Sequence, residues 1–144
     1  MRWGDSMSEQ QNVIFKLDKV EYGIDILQVS EIVKMQAITK MPNTPAYMDG
    51  VINLRGSVIP IVDLKVKFNL ERKEKDGHTR IIVVNVKNMT LGIIVDEVAE
   101  VIRINNEQVD DSSNISAQIN DDYIHGVAKV DNRLIILLDL EKIF

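Results

Sequence analysis

A chain of 144 residues can bury a core without disulfides or metals, and its hydrophobic and charged contents of 45% and 27% are those of a folded domain. The net charge of −5 argues against a nucleic-acid partner, because nucleic-acid binding needs a clustered basic surface. The absence of cysteine excludes disulfides, thiolate metal sites and cysteine nucleophiles.

Nothing in the sequence predicts insertion into a membrane. The longest apolar run, 134–138, has the length of a strand, and residues 1–9 lack the apolar core of a secretion signal. We therefore expect a soluble, cytoplasmic protein with no direct membrane insertion. Residues 1–11 are predicted to form a flexible N-terminal tail outside the fold.

Four β-hairpins are predicted in chain order from short runs rich in β-branched and aromatic residues. The two runs of each hairpin are separated by two or three residues that include types favoured in tight turns, such as Asp, Asn and Gly. The predicted pairs are 12–17 with 20–25, 51–54 with 58–62, 80–86 with 90–95, and 127–130 with 133–138.

Helix signals are brief. Thr44 and Pro45 are typical of a helix start and Gly50 of a helix end, so one helical turn is predicted over 44–50. A similar turn is predicted over 121–126, and a closing helical turn over 140–144. The segment 24–33 fits either an amphipathic helix or a strand, because many of its apolar residues are β-branched.

The chain contains an internal repeat. Two segments of the first half recur 69 residues further on, and two others recur 76 residues further on. The extra residues of the longer spacing fall in the polar stretch 105–120, where a loop would absorb them. The matched segments are 22–24 with 91–93, 29–32 with 98–101, 47–51 with 123–127, and 61–64 with 137–140.

The repeat predicts an all-β chain of two similar halves, 12–68 and 80–144, joined by a linker at 69–79. Each half holds about five short strands, a number typical of a small closed barrel that leaves no sheet edge exposed. One such barrel has a marginal core, so we expect the two barrels to share an apolar seam. A seam of this kind would also offer a groove to a partner helix.

The sequence carries no recognisable catalytic motif, neither G-x-S-x-G nor a glycine-rich phosphate loop. His78 and His125 lack metal-ligand spacing and are better explained as surface residues. Asp63 and Asp139 occupy equivalent positions of the repeat, which is typical of a helix cap or turn and not of a catalytic pair. We therefore predict a protein that is not an enzyme and binds no cofactor or metal.

One turn breaks the repeat. The turn at 53–56 carries Arg55, whereas the equivalent turn of the second half is formed by Asp131 and Asn132. The fold alone does not require an arginine at this place. An ordinary exposed turn residue would explain it, and so would a planar group with several donors presented to a carboxylate or backbone of a partner.

Three stretches of the sequence closely resemble the chemotaxis coupling protein family, CheW. They are EYGIDI at 21–26, PNTP at 42–45 and GVINLRGSVIPIVDL at 50–64, of which the last is the most specific. The resemblance continues through GIIVD at 92–96 and LIILLD at 134–139, and it covers nearly all of the chain from Val13 onward.

The resemblance implies two tandem five-stranded SH3-like barrels without catalytic activity. It implies an adaptor that couples chemoreceptors to the histidine kinase CheA in chemotaxis signalling and array assembly. Its partners would be the regulatory domain of the kinase and the cytoplasmic tips of methyl-accepting chemoreceptors. The protein would then be recruited from the cytoplasm to membrane-bound receptor arrays.

The family's functional positions can be carried over residue by residue. For the valines, and for Ile38, Met41 and Pro42, plain core packing is the alternative explanation. The resemblance implies receptor binding by Val29, Glu31, Arg55, Val98 and Val101, and kinase binding by Lys34, Ile38, Met41 and Pro42.

Two alternatives stay open at this point. The chain could be a CheW-like domain of a larger chemotaxis protein, or an unrelated SH3-like peptide-binding module. The second usually needs an aromatic-lined groove, and aromatic residues make up only 5% of the chain. The polar stretch 107–120 also lacks the aromatic residue with which family members often make a second ring contact.

Overall fold

A computed structural model describes residues 9–71, 74–111 and 123–144 of the chain and shows a structure built mainly of strands. Its short helices are α1 (Leu64–Lys67) and α2 (Leu140–Ile143), with 3-10 turns at Ile26–Gln28 and Asn106–Gln108. The strands are β1 (Glu9–Leu17), β2 (Val20–Asp25), β3 (Val29–Lys34), β4 (Met48–Leu54), β5 (Ser57–Asp63), β6 (Arg80–Val86), β7 (Met89–Val95), β8 (Glu97–Asn105), β9 (Val109–Asp111), β10 (Ile124–Val130) and β11 (Arg133–Leu138).

All four predicted hairpins are confirmed. They are β1–β2, β4–β5, β6–β7 and β10–β11, each antiparallel. Their turns contain residues with positive φ, for example Asp18 at 58°, Asn88 at 63° and Asn132 at 65°. Asn, Asp and Gly adopt this conformation at the lowest cost, which is why composition located the turns correctly.

Two of the helix predictions can be compared with the structure directly, and one of them is wrong. At 44–50 the chain makes only a turn, in which Met48 N donates to Pro45 O at 3.0 Å. Strand β4 then begins at Met48, so Gly50 lies inside a strand and does not end a helix. The closing helical turn is confirmed as α2. The segment 24–33 forms the end of β2, a 3-10 turn and most of β3.

Several expectations fall partly outside the described residues. Strand β1 begins at Glu9, so residues 9–11 of the predicted tail belong to the sheet, and the rest of the tail is not described. The described part of the predicted linker 69–79 forms neither helix nor strand. The polar stretch at 112–120 and the first two residues of the helical turn predicted at 121–126 are not described. Strand β10 begins at Ile124, so the helical prediction is wrong for 124–126.

The strands form two sheets with the orders β8-β1-β2-β11-β10-β9 and β3-β6-β7-β5-β4. The chain divides into two compact units: unit 1 holds the residues up to Leu27 and from Ala99 onward, and unit 2 holds Gln28–Val98. These units do not coincide with the two consecutive halves expected from the repeat, 12–68 and 80–144.

The difference arises from an exchange of strands. Strand β3 follows β2 along the chain but pairs with β6, and β8 follows β7 but lies beside β1. In each unit a hairpin then docks in parallel, β5 on β7 and β11 on β2. The repeat shows which segments resemble one another, but not which copy of a strand pairs with which neighbour.

The local structure of the two units confirms the repeat itself. Asp63 N donates to Tyr47 O, and Asp139 N donates to Tyr123 O, both at 2.8 Å. Each aspartate also caps the helix that follows it: Asp63 accepts from Lys65 N at 2.9 Å, and Asp139 accepts from Glu141 N at 3.1 Å. The duplicated aspartates are therefore helix caps, as the sequence predicted.

Each sheet bends around an apolar core of its own. In unit 2 the first strand and the last strand of the sheet pack on the same cluster, through Val33 of β3 and Ile52 of β4. Other buried hydrophobic residues, such as Phe15 and Ile82, lie outside these two clusters. The buried members of the clusters are Ile14, Ile104, Ala128, Val130, Ile135 and Leu137 in unit 1, and Ile52, Ile59, Ile61, Ile81, Val83 and Ile94 in unit 2.

The all-β, SH3-like prediction is confirmed, but the prediction of closed five-stranded barrels is not. The sheet of unit 1 has six strands, and in the described residues neither strand order returns to its starting strand. In unit 2, closing the barrel would need a full strand between β3 and β4. That segment contributes a single bridge, between Thr39 and Val51. The first and last strands of unit 2 are therefore held together by packing on a shared core, not by a continuous ladder of hydrogen bonds.

Candidate functional site

Arg55 and Glu31, two of the residues to which the sequence assigns receptor binding, form an ion pair in unit 2. Glu31 lies on β3, and Arg55 lies in the turn between β4 and β5, 24 residues further along the chain. The side chain of Arg55 is 68% exposed and that of Glu31 29% exposed. The charged groups of this pair are therefore accessible at the surface of unit 2.

The turn that carries Arg55 has positive φ at both central residues, 52° at Arg55 and 88° at Gly56. Two-residue hairpin turns of type I′ require this conformation, for which glycine is suited and arginine is not. Asn53 Oδ1 accepts a hydrogen bond from Gly56 N at 2.9 Å and so fixes the loop. The chain thus holds an arginine at a position where its backbone costs about 1 kcal/mol.

Unit 1 contains a related arrangement with a different outcome. Arg133 lies 3.5 Å from Glu100, the residue equivalent to Glu31 in the repeat. However, Arg133 also binds both carboxylate oxygens of Glu21, at 3.0 and 2.6 Å. The hydrogen bond from Arg133 lowers the pKa of Glu21 against the opposing effect of burial, and the same bond raises the pKa of Arg133. Arg133 is therefore engaged by two carboxylates and Arg55 by one.

The valines predicted to bind the receptor are not members of the two apolar clusters given above. Val29 and Val98 are half-buried, and Val101 is 48% exposed. A β-bulge between Val29 and Glu31 places them opposite the adjacent residues Val84 and Val83 of β6. Bulges of this kind change the direction of side chains at functional edges.

The residues assigned to kinase binding all lie in unit 2, on β3 or in the segment after it. Lys34, Met41 and Pro42 are exposed, Met41 by 47%. Ile38 is half-buried and packs against the core of unit 2, so for Ile38 the alternative of core packing holds. The side chains of Lys34, Met41 and Pro42 are thus accessible to a partner, whereas Ile38 anchors the segment to the core of unit 2.

Unit 2 therefore holds all the assigned residues except Val101, which lies in unit 1. The contact that the structure establishes among the assigned side chains is the one between Arg55 and Glu31. Metal binding has no obvious site, since the described residues contain no group of three or more His, Cys, Asp or Glu side chains that could hold an ion. Within the same residues, no helix is both long and apolar enough to cross a membrane.

A set of exposed aliphatic residues, not predicted from the sequence, recurs in both units. In the alternating pattern of β3, Ile32 points outward beside Glu31 and is 41% exposed. The signal was present in the internal repeat, because six exposed residues fall into three equivalent pairs. The pairs, with unit 2 first, are Ile32 and Val101, Met89 and Val20, and Val58 and Leu134.

Comparison with known proteins identifies the family. The model of the CheW-like domain matches residues 11–144. The chain is 39% identical over 134 residues to a chemotaxis protein CheW of Klebsiella aerogenes, covering 93% of this chain and 81% of the relative. It is 38% identical over 138 residues to a chemotaxis protein CheW of Treponema pallidum, with the same shares covered.

A solved structure agrees with the sequence relatives. The crystal structure of the scaffolding protein TtCheW from Thermoanaerobacter tengcongensis matches with a TM-score of 0.82 and 36% identity, covering 94% of this chain and 92% of that one. The alternative of an unrelated SH3-like module is therefore wrong. With a family model over nearly its whole length and relatives of this similarity, the chain belongs to the CheW-like family.

Proposed function

We propose that this protein is a non-enzymatic scaffold of chemotaxis signalling that couples chemoreceptors to the histidine kinase CheA. The observation that carries the proposal is the match to the CheW-like family over residues 11–144. The matched relatives are named chemotaxis proteins, and the matched crystal structure is that of a scaffolding protein. A scaffold of this kind acts from the cytoplasm on membrane-bound receptors and needs neither a cofactor nor nucleic acid.

Receptor binding is proposed for the surface formed by Val29, Glu31 and Arg55 in unit 2, and separately for Val98 and Val101, which lie on β8. Arg55 supports this role because Glu31 engages its guanidinium from one side only and 68% of the side chain stays exposed. A guanidinium carries five donors in a planar arrangement, so Arg55 can bind a carboxylate or carbonyl of the receptor in exchange for Glu31. The half-buried Val29 would add apolar contact beside this polar one.

Kinase binding is proposed for the surface formed by Lys34, Met41 and Pro42, which Ile38 supports from the core side. Methionine is enriched in protein–protein interfaces, which supports this role for the exposed Met41. Pro42 and the adjacent Asn43, with a φ of 59°, hold this segment in a turn. Such a surface loses little conformational freedom on binding, which favours affinity.

The mechanism follows from binding two partners with one chain. A scaffold that holds receptor and kinase raises the effective concentration of each at the other. It transmits a receptor state to the kinase only if it makes different contacts in the two signalling states. The adjustable contact that the structure offers is the exposed arginine–glutamate pair, which can exchange its internal partner for one on the receptor.

Calorimetric titration of the chain with the regulatory domain of a chemotaxis kinase from the same genome tests the proposal. We expect saturable binding with one-to-one stoichiometry. Met41→Glu should weaken this binding at least tenfold, because it would place a charge in an apolar contact. Met89→Glu is the matched control, since Met89 has a similar exposure of 50% and lies outside the proposed surface. A folded chain that does not bind at tens of micromolar would contradict the proposal.

A further inference from the structure

A cleft of about 440 Å³ opens in unit 2 beside the segment that joins β3 to β4. The side chains that matter for its chemistry are Met35, Ile38, Met41 and Met48, together with Lys40 and Lys75. We call it the methionine cleft, because three of the six methionines of the chain line it. None of the functional roles assigned above uses Lys40, Met48 or Lys75.

The part of the methionine cleft formed by Met35 and Ile38, here called its floor, is apolar and adaptable, although polar side chains such as Gln36 and Asp49 also line the cleft. Met35 and Ile38 pack against the core of unit 2 on one side and line the cleft on the other. Met41, at the edge, is 47% exposed. Thioether side chains are unbranched and polarisable, so they fit apolar ligands of different shapes with little strain. The floor therefore suits a bulky aliphatic side chain.

The rim of the cleft is positive although the protein as a whole is acidic. Lys75 Nζ lies 3.7 Å from Asp49 Oδ2, and the side chain of Lys75 is 40% exposed. The charged lining residues are thus one acid, Asp49, and two bases, Lys40 and Lys75. Lys40 is exposed, and the structure records no ion pair for it within the described part of the chain. A ligand that places a carboxylate near Lys40 would complement the remaining positive charge.

We propose that the methionine cleft binds a short peptide segment that presents a bulky aliphatic side chain next to a carboxylate. The aliphatic group would occupy the thioether floor, and the carboxylate would lie against Lys40. Proline-rich peptides and single-stranded nucleic acid fit less well, because both are bound mainly on aromatic side chains and none lines this cleft.

This inference does not depend on the proposed kinase contact, although both involve Ile38 and Met41. Peptide binding in the cleft is a property of unit 2 that can be measured without kinase or receptor. If the kinase titration fails and the peptide binds, the proposed function is wrong and the inference stands. If the kinase binds and the peptide does not, the inference is wrong and the function stands.

The test uses two blocked tripeptides, acetyl-Glu-Leu-Leu-amide and acetyl-Lys-Leu-Leu-amide, titrated into the full chain labelled with ¹³C at its methionine methyl groups. We expect the acidic peptide to shift the Met41 and Met48 methyl signals in a saturable way at millimolar concentration. The basic peptide should bind at least threefold more weakly. Lys40→Glu should reverse this preference, while Lys19→Glu, the same charge change at an exposed turn of unit 1, should leave it unchanged.

Three outcomes would overturn the inference. The first is no shift of the Met41 and Met48 signals with either peptide. The second is equal binding of both peptides that Lys40→Glu does not alter, which would show that charge plays no part. The third is a set of shifts confined to Met89, which would place the peptide elsewhere. Because Lys40 is exposed, its replacement is not expected to unfold the chain, and the methyl spectrum without peptide verifies this.

Discussion

Arg55 and Glu31 form an ion pair although they belong to opposite ends of the sheet of unit 2. Glu31 lies on β3, the first strand in the order, and Arg55 directly follows β4, the last. The two ends share no continuous ladder in the described residues, and the ion pair joins β3 directly to the turn that follows β4. The single Thr39–Val51 bridge joins the segment between β3 and β4 to β4. A contact at an open seam is easier to exchange for a partner's group than one inside a closed ladder.

The first prediction concerns Arg55→Ala. Exposed ion pairs contribute about 1 kcal/mol or less to stability, so the free energy of unfolding should change by no more than this. Receptor binding should nevertheless fall by about tenfold or more, because a charge-assisted contact with the partner is lost. Thermal unfolding and co-sedimentation with receptor-containing membranes measure the two effects. Loss of both in equal proportion would show that Arg55 is structural.

The second prediction compares two valines that face each other across β3 and β6. Val29→Asp should abolish receptor binding and leave a folded, soluble chain, because Val29 is only half-buried. Val84→Asp is the contrasting variant: Val84 has no exposed surface, so a buried unpaired carboxylate should unfold the chain. Circular dichroism distinguishes the two cases. An unfolded Val29→Asp chain would assign Val29 to the core instead of the binding surface.

The third prediction concerns Gly50, which has a φ of +145°. A Cβ atom there would collide with the carbonyl group of Thr39, whose oxygen accepts from Val51 N at 2.9 Å. We expect Gly50→Ala to lower the free energy of unfolding by about 2 kcal/mol or more. Gly77→Ala is the control, since a Cβ at Gly77 would meet no atom within 4 Å. Urea denaturation measures both, and equal effects would refute the steric explanation.

The fourth prediction concerns the pH dependence of stability through Glu21. The hydrogen bond from Arg133 lowers the pKa of Glu21 below its ordinary value of 4.5. The unfolded chain then binds this proton more readily than the folded chain, so the stabilisation is complete above pH 4.5 and is lost as the pH falls below it.

Glu21→Gln should therefore be less stable than the parent chain at pH 7, with a difference that shrinks as the solution is acidified. Urea denaturation at a series of pH values follows this difference directly. The comparison between variant and parent cancels the contribution of the other carboxyl groups. A difference that stays constant from pH 7 to about pH 3 would mean that the pair does not shift the pKa of Glu21.

Local features of the fold could be predicted from the sequence because they depend on neighbouring residues. The hairpin turns follow from residues that tolerate positive φ, such as Asp18 and Asn132. The caps formed by Asp63 and Asp139 follow from their equivalent places in the repeat. The helical turn at 44–50 was wrong because strand β4 overrides a local signal that Thr44, Pro45 and Gly50 provide.

Long-range features could not be predicted in this way. The exchange of β3 and β8 depends on contacts between strands far apart in the sequence, and two similar repeats give no preference for either pairing. For the same reason Glu31 and Arg55 could each be predicted as binding residues, but their contact with each other could not be predicted. The cleft lined by Met35, Met48 and Lys75 was missed because three separate segments form it.

The most direct test of the coupling role is co-sedimentation of the purified kinase with receptor-containing membranes, with and without this chain. We expect the kinase to sediment with the membranes only when the chain is present. We expect Arg55→Ala to reduce the sedimented amount about tenfold while the variant still binds the kinase in solution. If the folded chain leaves the sedimented fraction of the kinase unchanged, the protein does not couple this receptor to this kinase, and the central claim is wrong.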